Sequence, residues 1–354
     1  MRRILIEAIR DGDVLAKDVF SSSGVVLMSG GTKLKREYIP RLSELHIESI
    51  FIREGAEEKG STEGITEEEI KMQCGEAVRN TIQKYTYADR DELKKIIKVA
   101  DEIMTDILSQ PDIMYNVSCV REKSNELYLH SVNVAAISTL LALRAKLPKN
   151  KTKEIVIGGL LHDIGYTTVT IDISDLVLEE CEEKVRKEVM RHVIYGYTDV
   201  EKKDWLSKTV KDIVLQHHER LDGSGYPFHM EGKHLKQEVR IVSLCDQFDN
   251  MVYGNLMPRF KVRQAIEYIM SQAGTKFDFT LVQLFIESVA AYPIGTTVIT
   301  NEGDFAVVLR QNHKFPTRPV IRLLKNSEGI EYEAFEERDL TKNLTLFIVD
   351  SVEY

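Results

Sequence analysis

The chain has 354 residues, of which 43% are hydrophobic and 29% charged, and its formal net charge is −9. This length predicts two or three domains, and the ordinary composition excludes extended disorder. The acidic balance argues against a protein that binds polymeric nucleic acid, because such proteins usually carry a basic surface that neutralises phosphates. No export signal and no run of about 18 apolar residues is evident, so we expect a cytoplasmic protein with no membrane partner.

Three segments with different hydrophobic patterns follow one another along the chain. Residues 1–60 carry short apolar runs separated by turn residues, which predicts a small N-terminal α+β domain. Residues 61–290 show apolar side chains at helical spacing and predict a helical catalytic domain. Residues 291–354 return to short β-rich runs and predict a small C-terminal β extension. The predicted fold class is therefore mainly α, a helical bundle flanked by two small modules.

Within the helical segment, histidines recur beside carboxylates. Glu126 and His130 are four residues apart in a predicted helix, so both side chains project from one face and can reach one metal. His162 and Asp163 follow an apolar run at residues 155–161, and burying this polar pair is costly unless it is paired or binds a cation. A metal ion is the natural compensation for such burial.

Residues 217–227 form the most specific string of the chain. His217 and His218 are adjacent on a predicted helix and point about 100° apart, which suits two neighbouring metals better than chelation of one. Gly223 and Gly225 permit positive φ and a close approach of the backbone to a ligand, while Tyr226 offers a ring and a hydroxyl. The alternative is an ordinary turn between two helices.

Two further elements complete the pattern. Asp246 lies in an apolar helical run, three residues before Asp249, and His192 lies near the end of another predicted helix. Each element taken alone fits a surface contact or a hydrogen-bonded structural pair as well as a ligand. Five such elements in one helical segment have a shared explanation in a metal centre, which we predict.

Residues from about 66 to 290 resemble the HD-GYP family, a branch of the HD superfamily of helical metallophosphohydrolases. The resemblance rests on His162-Asp163, on the pattern H-H-E-x-x-x-G-x-G-Y-P at residues 217–227, and on Asp246 with Phe248-Asp249. It implies an HD-type helical bundle in a bacterial signalling protein that binds iron or manganese. The implied reaction is hydrolysis of cyclic di-GMP to linear pGpG, and in some members on to GMP.

The resemblance also implies roles for individual residues. His162 and Asp163 would be catalytic, with Asp163 bridging two metals, and residues 223–227 would shape the edge of the substrate pocket, Pro227 included. Glu126 favours three metal ions over two, because family members with this glutamate resemble a trinuclear type. The implied metal ligands are Glu126, His130, His162, Asp163, His192, His217, His218 and Asp246.

Two departures from the family pattern concern the substrate. Tyr166 stands where the family usually has a lysine that contacts the phosphate, so a cation near the scissile group is lost. Residues 250–261 differ from the stretch that helps family members to hold guanine. Arg259 and Lys261 are candidates for substrate contact there, and equally for plain surface charges.

Other functions stay open at this point. The chain could be a catalytically weak or inactive receptor of cyclic dinucleotides, or a hydrolase of another cyclic dinucleotide such as 3'3'-cGAMP. A third alternative is a di-iron oxygenase of HD fold, against which the loop at residues 223–227 weighs. The sequence does not choose between iron and manganese, since both suit histidine and carboxylate ligands. It also leaves open a homodimer or a signalling protein as partner.

Overall fold

The computed structural model describes residues 2–6, 9–16, 19–20, 26–28, 31–44, 47, 49–52, 98, 100–101, 103–105, 126–173, 176–312, 315–332 and 336–352. These residues fall into two compact units. The described residues within 67–113 and 125–288 form the helical unit, and those within 1–66 and 289–354 form the strand-rich unit. The domain boundary predicted near residue 60 lies outside the described residues, so the division into three domains stays a prediction.

The N-terminal part of the strand-rich unit contains two small antiparallel strand pairs and one short helix. β1 (Arg2–Leu5) pairs with β4 (Ser49–Ile52), β2 (Val19–Phe20) pairs with β3 (Val26–Met28), and α1 spans Ile39–Glu44. Apolar side chains from these elements and their connections, Leu15 and Leu34 among them, make one buried cluster. The described elements therefore have the α+β character predicted for this region.

Eight helices with described bounds make up the helical unit. They are α2 (Glu126–Arg144), α3 (Lys149–Leu161), α4 (Glu183–Met190), α5 (His192–Glu201), α6 (Lys208–Gln216), α7 (Gln237–Tyr253), α8 (Val262–Ser271) and α9 (Phe279–Ser288). The predicted mainly helical fold of this segment is confirmed. None of the described helices combines the length and the apolar character needed to cross a membrane.

Helix α2 lies at the centre of the helical unit. Every residue from 130 to 142 is buried, as expected for a helix that is covered on all sides. It packs against α3, α7 and α9, while α3 also packs against α6 and α7. Because α3 and α7 each contact both α2 and α6, polar side chains on their facing sides meet inside the bundle.

The C-terminal part of the strand-rich unit is a five-stranded antiparallel sheet in the order β8-β7-β6-β5-β9. Its strands are β5 (Thr297–Thr300), β6 (Phe305–Arg310), β7 (Val320–Lys325), β8 (Glu337–Asp339) and β9 (Ile348–Val352). Val298 faces Ala306 across β5 and β6, and both are fully buried. This sheet confirms the predicted C-terminal β extension.

Candidate metal centre

Seven of the eight predicted ligands come together in one cluster inside the helical unit. Three of them lie on α2, α5 and α7, and four directly follow helices: His162 and Asp163 follow α3, and His217 and His218 follow α6. The seven side chains are at most 13% exposed. They are His130, His162, Asp163, His192, His217, His218 and Asp246.

The eighth predicted ligand is Glu126. It is the first residue of α2, one helical turn before His130, and its side chain lies outside what the structure describes. Its role as a ligand therefore stays a prediction, and so does the third metal ion that depends on it.

The carboxylate of Asp163 lies between two sets of histidines. Its Oδ2 is 3.3 Å from Nε2 of His130 and 3.3 Å from Nε2 of His162. The other oxygen, Oδ1, is 3.4 Å from Nε2 of His192 and 3.4 Å from Nε2 of His217. Because each oxygen faces a different pair of imidazoles, the arrangement fits two adjacent cations that share one carboxylate.

Backbone carbonyl groups orient three of the imidazoles. Each Nδ1 lies close to the carbonyl oxygen of a residue three positions earlier in the chain. The distance is 2.7 Å for His162, 2.8 Å for His192 and 3.1 Å for His217. A carbonyl oxygen only accepts hydrogen bonds, so Nδ1 of each ring carries the proton. The lone pair of each Nε2 then points into the cluster, which is how proteins usually prepare histidine to bind a metal.

Asp249 and Asn250 support the cluster from the next layer. Asp249 Oδ2 accepts a hydrogen bond from Nδ1 of His130 at 2.7 Å, and the amide of Asn250 donates to Asp246 Oδ1 at 2.7 Å. Sequence reasoning noted Asp249 within the family pattern and gave neither residue a role. The available signal was their spacing of three and four residues from Asp246, which places all three on one face of α7.

The half of the cluster around His130 and His162 attracts positive charge strongly. Burial lowers the pKa of His162, but the neighbouring Asp163 carboxylate outweighs this and raises that pKa to about 9. For Asp163 burial acts in the opposite direction and raises the pKa. The charge of His162 and a hydrogen bond from His130 outweigh burial, so the pKa of Asp163 is held well below its usual range. The two Nε2 atoms of His130 and His162 are only 3.0 Å apart. Two bare lone pairs at this distance repel, so a proton or a cation is needed between them.

The other half of the cluster is suited to neutral imidazoles. Burial lowers the pKa of His217, and burial together with the charge of His217 lowers the pKa of His218 well below its usual value. Among the seven clustered ligand side chains, three buried atoms have no hydrogen-bond partner: Asp163 Oδ1, His218 Nε2 and Asp246 Oδ2. Buried acceptors of this kind are costly unless a cation satisfies them. The residues present therefore fit divalent metal ions.

These charges predict how pH affects the chain when a chelator has removed metal. The raised pKa of His162 means that its stabilising contribution is complete below the unfolded-state value of about 6.5 and is lost as pH rises through about 9. We therefore expect the melting temperature of the metal-free chain to decrease as the pH is raised from about 6.5 to about 9. Thermal unfolding followed by circular dichroism checks this. His162→Gln should remove part of the pH-dependent fall, because the pKa of His130 is also raised: burial lowers it, but hydrogen bonds to Asp163, Asp246 and Asp249 outweigh burial. An unchanged fall in that variant would contradict the assignment.

Two tyrosine rings cover imidazoles of the cluster. Tyr166 stacks on His192 with ring centroids 4.0 Å apart and an interplanar angle of 14°, and Tyr226 stacks on His218 at 4.6 Å and 24°. Burial raises the pKa of both phenols well above their usual value. Both hydroxyls therefore stay protonated at neutral pH and can donate hydrogen bonds.

The loop at residues 223–230 is fitted against the backbone that carries His218. Gly223 has a φ of +75°, a conformation that favours glycine. Gly225 is needed for a different reason, since a Cβ there would overlap the carbonyl oxygen of His218 and the backbone of the next two residues. The N–H of Tyr226 donates to the carbonyl of His218 at 3.2 Å, and the peptide bond to Pro227 is cis.

Glu219 anchors the far side of this loop. It is 1% exposed, and its two carboxylate oxygens accept hydrogen bonds from the backbone N–H groups of Phe228 at 2.7 Å and Met230 at 2.9 Å. Glu219 is the third residue of the H-H-E-x-x-x-G-x-G-Y-P pattern, and the sequence alone assigns it no role. A buried acid directly after two histidines was the signal that it needed partners, although the sequence does not show which.

Arg259 and Lys261 lie on the connection between α7 and α8. Nε of Arg259 donates to the carbonyl of Val252 at 3.1 Å, and the backbone N–H of Lys261 donates to Gln264 at 3.0 Å. These two contacts serve the end of α7 and the start of α8. Substrate contact by either side chain stays a prediction.

A helical bundle closed around a buried histidine and aspartate cluster defines an HD-type metal-binding protein. The profile of the HD domain matches residues 104–281, which is half of the chain, and a KOW domain associated with HD domain matches residues 297–354. The chain belongs to the HD domain family. The resemblance predicted from the motifs is thereby confirmed at the level of that domain.

Known proteins with related sequences or folds agree with this membership. A cyclic di-GMP phosphodiesterase of Pseudomonas aeruginosa is 30% identical over 64% of this chain and 54% of its own length. A 3'3'-cGAMP-specific phosphodiesterase of Vibrio cholerae is 29% identical over 50% of this chain and 34% of its own length. The chain thus spans about half or less of these relatives.

Among solved structures, an HDG"Y"P protein from Bdellovibrio bacteriovorus superposes with a TM-score of 0.54 at 18% identity, covering 80% of this chain and 97% of that one. This similarity shows a shared fold.

Proposed function

We propose that this chain is a metal-dependent phosphodiesterase that hydrolyses cyclic di-GMP to linear pGpG, with GMP as the product of a second cleavage. The observation that carries the proposal is the carboxylate of Asp163, whose two oxygens face two different sets of imidazoles. Such a pair of adjacent cation positions suits the displacement at phosphorus that opens a phosphodiester. The relative from Pseudomonas aeruginosa, named for this reaction, supports the choice of substrate.

The ions we propose are iron or manganese, because imidazole and carboxylate donors suit both. His130 and His162 would serve one ion, His192 and His217 the other, and Asp163 would serve both. His218 and Asp246 complete the ligand set, and Glu126 would add a third ion. When bound, such ions lower the pKa of a coordinated water and neutralise charge on the attacked phosphate.

The chain's own groups around the cluster would orient the substrate. Tyr166 and Tyr226 present neutral hydroxyls, which can donate to phosphate oxygens without adding charge. Gly225 lets the loop backbone lie close to the backbone of His218, and Gly223 and Pro227 would shape the edge of the pocket. His162 and Asp163 are proposed as catalytic because Asp163 lies between the two histidine sets and Nε2 of His162 is 3.3 Å from its carboxylate.

We further propose that the protein acts in the cytoplasm of a bacterium, in cyclic di-GMP signalling. A free cyclic dinucleotide is the partner we infer, rather than a nucleic-acid polymer or a membrane, given the net charge of −9. A homodimer or a signalling protein as further partner is part of this proposal.

The experiment that tests the function is turnover of cyclic di-GMP by protein purified without oxygen and loaded with Fe²⁺ or Mn²⁺. Chromatography separates cyclic di-GMP, pGpG and GMP. Linear product should appear only with metal and should vanish in His162→Ala. His234→Ala is the matched control, because His234 is exposed and lies outside the cluster. Binding without turnover would favour a receptor instead.

A second candidate substrate is 3'3'-cGAMP. Arg259, a candidate for substrate contact in the stretch that departs from the family's guanine-holding pattern, donates its Nε to the carbonyl of Val252 near the end of α7. The relative from Vibrio cholerae is named for that substrate. A competition experiment ranks the two dinucleotides. In an equal mixture, the ratio of the rates at which they are consumed over about the first tenth of the reaction gives the ratio of their kcat/KM values.

Exchanging Tyr166 for lysine should restore a cation beside the phosphate. Because charge placed near a developing negative charge lowers the barrier, we expect Tyr166→Lys to raise kcat by about tenfold with little change in KM. Tyr197→Lys makes the same exchange on α5 outside the cluster and should leave kcat unchanged. A fall of kcat in Tyr166→Lys would show that the ring stacked on His192 matters more than the missing charge.

A further inference from the structure

Phe228 is an exposed aromatic residue in the loop whose Tyr226 stacks on His218 of the candidate metal centre. Its residue is 57% exposed, and it follows Tyr226 and Pro227, the first of which stacks its ring on His218. Single exposed apolar residues are normal on protein surfaces, so exposure alone does not indicate a function. What distinguishes Phe228 is how firmly its backbone is held next to the cluster.

Three backbone hydrogen bonds fix the loop around Phe228. Its own N–H donates to Glu219 at 2.7 Å, the N–H of Met230 donates to the same carboxylate at 2.9 Å, and the N–H of Tyr226 donates to His218 at 3.2 Å. Glu219 is the residue directly after His218 and is 1% exposed. Phe228 is therefore presented to solvent from a backbone tied to the cluster, rather than from a mobile loop tip.

The other aromatic ring of this loop is already engaged. Tyr226 has one face against His218 at a ring separation of 4.6 Å, so that face is closed to a ligand. Arg259, a candidate for substrate contact, donates its Nε to the carbonyl of Val252. Phe228 is thus the phenyl or phenol ring of residues 223–230 that has a large exposed surface and no stacking partner among the described residues.

We infer that Phe228 is the platform on which one purine base of the substrate stacks while the phosphate lies at the metal cluster. This inference rests on the proposed function, since it assigns the base subsite of that same reaction. Stacking suits the task, because every purine offers a π face and a ring held in place loses little freedom on binding. The platform would contribute to affinity for the nucleotide and leave the hydrolytic step unchanged.

The test compares steady-state kinetics of Mn²⁺-loaded chains on cyclic di-GMP. Phe228→Ala should raise KM by about 10- to 100-fold with kcat kept, Phe228→Leu should behave similarly, and Phe228→Trp should stay near wild type. Phe279→Ala is the matched control, because Phe279 is 58% exposed in the same unit but lies on the first turn of α9. Equal melting temperatures would show that all variants fold.

A spectroscopic readout separates stacking from a merely structural role. A cyclic dinucleotide with 2-aminopurine in place of one guanine should lose fluorescence on rapid mixing with wild type and Phe228→Trp, but not with Phe228→Leu. If wild type hydrolyses cyclic di-GMP and Phe228→Ala keeps its KM within twofold, the inference is overturned and the proposed function stands. Quenching that depends on Phe228 without turnover would support the platform and refute the hydrolase. With neither quenching nor turnover, both ideas fail.

Discussion

Asp163→Asn is expected to lower turnover of cyclic di-GMP by about 10³-fold, the upper range for loss of one preorganised electrostatic partner. The asparagine keeps the shape of the side chain but replaces one oxygen by an NH₂ group and removes the negative charge. Whichever way the amide turns, hydrogen-bond donors face the Nε2 atoms of one histidine pair, either His130 and His162 or His192 and His217. One cation position therefore loses its shared ligand, and both lose the charge between them.

Metal content gives this prediction a readout that does not depend on activity. Wild type reconstituted with Mn²⁺ should hold at least two ions per chain by elemental analysis, and Asp163→Asn should hold one or none. Asp204→Asn, at an exposed acid between α5 and α6, removes the same charge away from the cluster and should match wild type. Full metal content and full turnover in Asp163→Asn would refute the shared carboxylate.

Some parts of this site could be predicted from the sequence, and others depend on the tertiary fold. His162 and Asp163 were identifiable because a polar pair interrupts an apolar helical run, and the helical bundle followed from the apolar spacing. The stacking of Tyr166 on His192 was not predictable, since it depends on how the short helix Ile164–Thr167 packs against α5. The same holds for the bond from Phe228 to Glu219, because local spacing does not determine contacts made across a loop.

The two glycines of the loop show a similar division between local and tertiary causes. The sequence suggested both positive φ and close backbone approach for Gly223 and Gly225 alike. In the structure Gly223 has the positive φ, whereas Gly225 is absent from the positive-φ residues and has the close approach. Residue type alone does not distinguish a glycine needed for positive φ from one needed for close backbone approach. The two cases nevertheless predict different effects of a substitution by alanine.

Gly225→Ala is expected to disrupt the loop and with it the metal site. A Cβ at this position overlaps the carbonyl oxygen of His218, Cα of Glu219 and the backbone nitrogen of Arg220. All three are main-chain atoms, so the strain is not relieved by a side-chain rotation, and overpacking of this kind costs about 1–3 kcal/mol or more. Either the loop moves away, which breaks its bonds to Glu219, or His218 is displaced.

Gly223→Ala and Gly274→Ala are the matched controls for Gly225→Ala. Both wild-type residues have positive φ, of +75° and +78°, but a Cβ at Gly223 meets its nearest atom at 3.3 Å and one at Gly274 meets nothing within 4 Å. Each control should therefore show only the cost of a left-handed residue, about 1–2 kcal/mol, with metal content intact. Urea unfolding and elemental analysis measure both effects. Of the three variants, Gly225→Ala alone forces main-chain atoms apart beside His218, so it alone should lose metal. Equal metal content in all three variants would mean that the loop does not support the site.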